Sequence, residues 1–157
     1  MNTTAEFNAQ STLNKLVPYV FTTMAGFTAS PHPGGPRAEG ARVSGTIGFA
    51  GDSVMGTVYV HLPKPLARLI TNAIHGNPAE QAVSDGDLND VVGELTNMIG
   101  GRFKSALCDA KWPCAMSTPA VIHGKFAIEM VQDLRAEVSH FNCRDHNFAV
   151  EVHIKFN

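Results

Sequence analysis

Apolar side chains recur along this chain with a period that changes twice. From about Thr3 to Phe27 they fall at helical spacing, at Phe7, Leu13, Leu16, Val17, Val20, Phe21 and Met24, with Pro18 as a kink or boundary. The Pro- and Gly-rich stretch Ser30 to Gly40 then reads as a loop. Beyond it the period drops to two: Val43, Ile47 and Phe49, and later Val54, Val58, Val60 and Leu62, alternate with polar or small neighbours. That pattern predicts a hairpin turning near Gly51 and Asp52. A short helix follows, opened near Pro65 and closed by Gly76. After a long central helix the remainder reads as strands, around Ala120 to Met130, Ala136 to Asn142 and Phe148 to Phe156, with turn residues between the last two. Helices interleaved with hairpins and a closing run of strands predict an α+β fold, a mostly antiparallel β-sheet with helices packed on one face, formed by residues 1–157 as a single domain.

The central helix carries the least expected residues. Ser84 can cap its start, Asp85, Asp87 and Asp90 complement its dipole, and its pattern runs to about Cys108. At about 100° per residue, Leu88, Val91, Val92, Leu95, Ile99, Phe103 and Ala106 form the core side. The opposite side collects Asp90, Gly93, Glu94, Asn97, Gly101, Lys104 and Cys108, with Gly100 at the border. A merely solvated face would be filled with Ala, Glu, Lys and Arg. Gly93, Gly100 and Gly101 instead each cost roughly 0.8–1 kcal/mol against Ala, and Asn97 adds several tenths, about 3 kcal/mol in all. Missing side chains leave a flat place where another backbone can come close, so the glycines clear the ground around Glu94 and Asn97. Gly100 and Gly101 could equally admit another helix of the same chain in tight packing. Glu94 and Asn97 lie one turn apart and point the same way, offering a fixed charge and an amide that both donates and accepts.

Composition narrows the classes of function. The 12 Lys and Arg are scattered and the formal net charge is −2, so no basic stripe suits nucleic acid. No apolar run approaches membrane-spanning length and the first residues show no secretory pattern, so a cytoplasmic protein is expected. Three cysteines, Cys108, Cys114 and Cys143, form neither an even framework nor a CxxC pair. The 7 histidines lack ligand spacing, and Asp90 with Glu94 makes too poor a carboxylate pair, so no metal site is expected. Cys108 at a helix C-terminus is a poor nucleophile, and Trp112 before Pro113 reads as a packing residue.

Four stretches give these residues a context: "VFTTMAG", "DVVGELTNMIGGRFKSAL", "STPAVIHGK" and "AEVSHFNCRDHNFAVEVHIKF". In order along nearly the whole chain they resemble the CheC/CheX/FliY family of chemotaxis phosphatases. The family pattern of an acidic residue or Ser, then Glu four positions on, Asn three further and a Pro some twenty later is met by Asp90, Glu94, Asn97 and Pro119. The segment "ITNAIHG" has Leu69 where a second site around Asn72 would need Glu, so the chain looks CheX-like, with one site. The resemblance implies hydrolysis of the aspartyl phosphate on a phosphorylated CheY-type response regulator. Asn97 would enter the regulator's site and position water, and Glu94 would pair with a lysine there. Asp90, Gly93, Gly100, Gly101 and Lys104 would form the docking surface, although Asp90 also serves as an N-terminal helix charge. No cofactor belongs to this chain; the regulator brings its own Mg²⁺. A homodimer through C-terminal strands is also implied. The competing expectation is a non-catalytic module of the same fold that docks on a regulator or a flagellar switch component.

Overall fold

The computed structural model describes residues 7–33, 41–126, 128–129 and 133–157, and its first helix begins where a capping side chain permits. Asn8 Oδ1 accepts the Ser11 amide hydrogen at 2.8 Å, and α1 (Ala9–Ala25) runs to Gly26, whose φ of 69° closes it. The start expected near Thr3 lies outside the described residues. Pro18 sits inside the helix, which continues past it. After β1 (Ser30–Pro31), the expected hairpin is formed by β2 (Arg42–Ala50) and β3 (Val54–Pro63), the Gly51 amide donating to Val54 O at 2.8 Å across the turn. Then come α2 (Lys64–His75), with Pro65 in its first turn and Gly76 as its left-handed cap, and α3 (Asp85–Asp109), whose Asp87 amide donates to Ser84 Oγ at 3.2 Å.

The remaining strands are β4 (Ala115–Met116), β5 (Ala120–His123), β6 (Arg135–Cys143) and β7 (His146–Phe156). The strand expected from Ala120 to Met130 stops at His123, because Gly124 turns the backbone to a φ of 94°; Met130 itself lies outside the described residues. Arg144 and Asp145, with φ of 49° and 63°, make the tight turn between β6 and β7, whose twist suits paired strands. The seven strands form one antiparallel sheet in the order β1-β6-β7-β3-β2-β4, and β5 also pairs with β2. The three helices pack on one face, where Val43, Ile47, Val58, Val60, Val150 and Val152 are buried.

The long helix α3 is seated on β2 at two places where side chains are missing. A Cβ on Gly45 would lie 1.7 Å from Thr96 Oγ1, so only glycine lets the helix down onto the strand. Thr96 is itself fully buried and spends its hydroxyl on Val92 O at 2.7 Å. One turn further along the helix, a Cβ on Gly100 would lie 2.7 Å from Ile47 Cγ2. This seat turns the buried stripe toward β2: Thr96, Gly100 and Leu107 join the core, whereas Ala106 is half-buried at its margin.

The opposite sheet face holds a feature the histidine spacings conceal. Glu151 is buried between two imidazoles, accepting from His153 Nε2 at 2.7 Å and from His61 Nε2 at 3.3 Å, while His61 Nδ1 and the Ser44 hydroxyl share a hydrogen bond of 2.8 Å. The hydrogen bond from His61 outweighs desolvation and, with His153, lowers the Glu151 pKa to about 2. Phe126 packs over His61, with ring centroids 5.8 Å apart, and accepts at its carbonyl from Arg42 Nη2 at 3.3 Å.

Candidate functional site

Asp90, Glu94 and Asn97 all stand on the exposed side of α3. Among the described residues none of the three makes a side-chain hydrogen bond or ion pair. The contrast with Asn72 shows what a structural asparagine does in this fold. Asn72 is fully buried, and its amide donates to Ala79 O at 3.0 Å and Gln81 O at 2.9 Å, fastening the loop after α2. Asn97 has no such employment, so its donor and acceptor both remain for another molecule.

The three glycines separate into two groups. Gly93 and Gly101 are half-buried on the open face, and a Cβ on either would meet only ordinary contacts, Val121 Cγ2 at 3.9 Å and Met116 Cε at 3.7 Å. Nothing in the chain's own packing requires glycine at either place. Gly100 corrects the sequence reading: it is buried against Ile47 and Met116, facing the sheet, and is no part of the open face. Close packing does explain Gly100, but against strands rather than the second helix weighed from sequence. Helical phase alone leaves this residue at the border; only the position of β2 decides it.

Two edges frame the open face. On one, β4 and β5 are joined through Ser117, Thr118 and Pro119. Ser117 Oγ accepts from the Gly48 amide at 2.9 Å and the Ser117 amide returns a bond to Gly48 O at 2.9 Å, while His123 Nε2 bonds Asn89 Oδ1 on α3. Pro119 is thereby held beside the helix in a loop tied to the sheet. On the other edge runs a groove of about 840 Å³ between α3 and α1, whose lining includes Tyr19, Met98, Gly101 and Arg102.

Lys104 is half-buried and sits close enough to Cys114 to favour its thiolate. Burial and the neighbouring Cys108 thiol, which bonds it, oppose that influence and raise the Cys114 pKa. Burial likewise pushes Cys143 up, with partial opposition from Arg144. All three thiols are free, and Trp112 packs on Phe156 with centroids 4.6 Å apart. Among the described residues no group of three or more His, Cys, Asp or Glu side chains is placed to hold a metal ion.

An exposed, unspent amide beside a carboxylate can orient water and engage a cation without supplying a general base of its own. Comparison with known proteins gives the chain itself a lineage. The family model described as chemotaxis phosphatase CheX matches residues 43–142. The chain belongs to the CheX family. The CheX chemotaxis protein of Vibrio vulnificus superposes with a TM-score of 0.80 at 26% identity, over 99% of this chain and 100% of that one. A CheX chemotaxis protein from Desulfovibrio desulfuricans gives a TM-score of 0.77 at 26% identity, over 92% and 97%. The CheX of a CheX–CheY–BeF3–Mg²⁺ complex from Borrelia burgdorferi shares the fold, with a TM-score of 0.72 at 18% identity over 94% and 98%. No curated protein sequence matches significantly. These matches connect the chain to chemotaxis proteins.

Proposed function

We propose that this CheX-family protein hydrolyses the aspartyl phosphate of a CheY-type response regulator. The observation that carries the reading is the open face of α3: Glu94 and Asn97 are exposed and unspent, flanked by Gly93 and Gly101, which the fold's own packing does not require. The solved complex of the Borrelia relative with CheY, BeF3 and Mg²⁺ supports the choice of partner.

The chemistry suits an amide. In the reaction a water oxygen bonds to phosphorus, the bond from phosphorus to the acyl oxygen breaks, the aspartate leaves as carboxylate, and the water's proton passes to the phosphate released. Such a loose transition state demands an in-line water and stabilised charge rather than a strong base. Asn97 orients that water, its Oδ1 accepting a water hydrogen, and takes up no proton itself. Glu94, one turn earlier, engages a partner ammonium, a charge-assisted contact that strengthens as the interface excludes solvent. Asp90 adds negative charge a further turn back, and Gly93, Gly101 and Lys104 border the approach. The Mg²⁺ belongs to the regulator.

No helix among the described residues is long and apolar enough to cross a membrane, in keeping with action on a cytoplasmic regulator. For a homodimer through C-terminal strands the available edge is that of β6. β7 is paired with strands on both sides, whereas among the described residues β1 pairs with β6 at Asn142 and Phe141, beyond which the His32 amide donates to His140 O at 2.8 Å and Gln10 Nε2 to Val138 O at 3.1 Å.

The test follows the lifetime of a purified CheY-type regulator from the same cell, phosphorylated with acetyl phosphate and then freed of it. Wild type should shorten that lifetime, and Asn97→Ala should lose the effect by two orders of magnitude or so while still binding, as happens when a water-positioning group is removed. Activity that survives Asn97→Ala refutes the role. Binding without any change of lifetime by wild type would make the protein a docking module.

A further inference from the structure

The groove between α1 and α3 carries an arrangement that the open-face residues do not explain. The Arg102 guanidinium lies 3.9 Å from the ring centroid of Tyr19, across the groove mouth, and among the described residues it has no carboxylate partner. Tyr19 is one of the few large apolar side chains left exposed, at 51%. A guanidinium held flat on an aromatic ring loses little freedom when it binds, and its planar fork of donors stays available. Tyr and Arg are also the residue types in which binding energy concentrates.

The groove is continuous with the site. Gly101 belongs to both: it stands on the open face and lines the groove, and its missing side chain removes the wall between them. Charge is divided along the helix as well. Asp85, Asp87, Asp90 and Glu94 make its first half acidic, whereas Arg102 and Lys104 follow Asn97, and Asp109, which also lines the groove, is the one acidic residue of the second half. From Glu94 to Arg102 is eight residues, about 12 Å along the axis. One partner could therefore meet an anion at one end of the face and a cation at the other.

We propose that Tyr19 and Arg102 form a second docking point for the same regulator, receiving a carboxylate-bearing segment of it at the groove mouth and fixing the direction in which it lies along α3. This rests on the phosphatase reading for the identity of the partner. Arg102 acts as a positioning residue: it touches no reacting atom, and its contribution falls on capture of the regulator.

Binding of a labelled CheY-type regulator from the same cell, measured directly by anisotropy, separates this inference from the catalytic one. Arg102→Glu should weaken binding by about fivefold or more, in the range of an interface anchor, and Arg102→Lys and Tyr19→Leu by less. Wild-type affinity should fall with added salt more steeply than that of Arg102→Ala, since a charge pair has been removed. In turnover the defect of Arg102→Ala should fall on KM, whereas that of Asn97→Ala falls on kcat. An acidic regulator residue changed to Lys should restore affinity for Arg102→Glu. Unchanged affinity and salt dependence in Arg102→Glu overturn the proposal, as does wild type that fails to bind any regulator. Loss of turnover alone in wild type overturns the catalytic reading and leaves the binding comparison to decide this one.

Discussion

Substituting alanine at Gly93, Gly100 and Gly101 should shift stability in opposite directions within eight residues of one helix. At Gly101 the added methyl finds Met116 Cε at 3.7 Å, the far end of a flexible side chain, and at Gly93 it finds Val121 Cγ2 at 3.9 Å. Neither contact is repulsive, so each change should recover the helix-propensity difference of about 0.8–1 kcal/mol. For a chain of this size that raises Tm by about 2–4 °C per kcal/mol. At Gly100 the methyl would stand 2.7 Å from Ile47 Cγ2. That atom is a branch on a buried strand residue and cannot swing aside. Overpacking of this kind costs about 1–3 kcal/mol, which the propensity gain offsets only in part. Gly100→Ala should therefore be neutral to destabilising by about 2 kcal/mol. Urea and thermal unfolding of the three single variants measure the signs directly. If Gly100→Ala proves as stabilising as Gly101→Ala, or if Gly101→Ala and Gly93→Ala both destabilise, the division between packing glycines and open-face glycines is wrong.

Three further outcomes follow from the same geometry. Gly101→Leu should keep the fold yet abolish regulator binding in a pull-down or anisotropy assay, and normal binding would contradict the cleared-surface argument. Gly45→Ala should cost about 3 kcal/mol or more, and Thr96→Ala should restore part of it, since it removes the Oγ1 at 1.7 Å but leaves Cβ at 2.8 Å; strict additivity in the double-mutant cycle would refute the seat. Glu151 contributes stability that is fully present above its unfolded pKa of 4.5 and is lost as pH falls from there through about 2. The gain is on the order of 3 kcal/mol, so Glu151→Gln should be less stable at neutral pH and flatter through that window, and an unchanged slope would speak against the histidine clamp.

The parts of this fold legible in the sequence are those fixed by local period and end chemistry. Ser84, Pro65, Gly76 and the alternation of Val54 to Leu62 announce their elements because caps, turns and pleats involve neighbours in the chain. The short strand β4 escapes such reading, and β5 is legible only as part of a longer run from Ala120: their pairing with β2 depends on residues 65 or more positions away, such as Ala50 with Ala115. The orientation of Gly100 was hidden for the same reason, since helical phase leaves it at a border and only Ile47 assigns it to the core. In β7, Glu151 and His153 read as the outward members of an alternating strand, yet register with Tyr59 and Thr57 brings His61 alongside and buries all three. The pair Glu94 and Asn97 could be named from spacing, but its freedom from internal partners became visible only once every neighbour had a place. Tyr19 and Arg102 gave no sequence signal at all, being 83 positions apart on different helices.

The seating of α3 on β2 has a consequence for how new chemistry could arise on this scaffold. Because Thr96 in the hollow at Gly45, and Gly100 against Ile47, lock the rotation and height of the rod from beneath, the side chains on its upper surface carry none of that burden. Positions 94 and 97 are accordingly a mounting plate whose tools can be exchanged. A different pair grafted there would inherit the same aim, and the protein would lose or change its reaction while melting at nearly the same temperature.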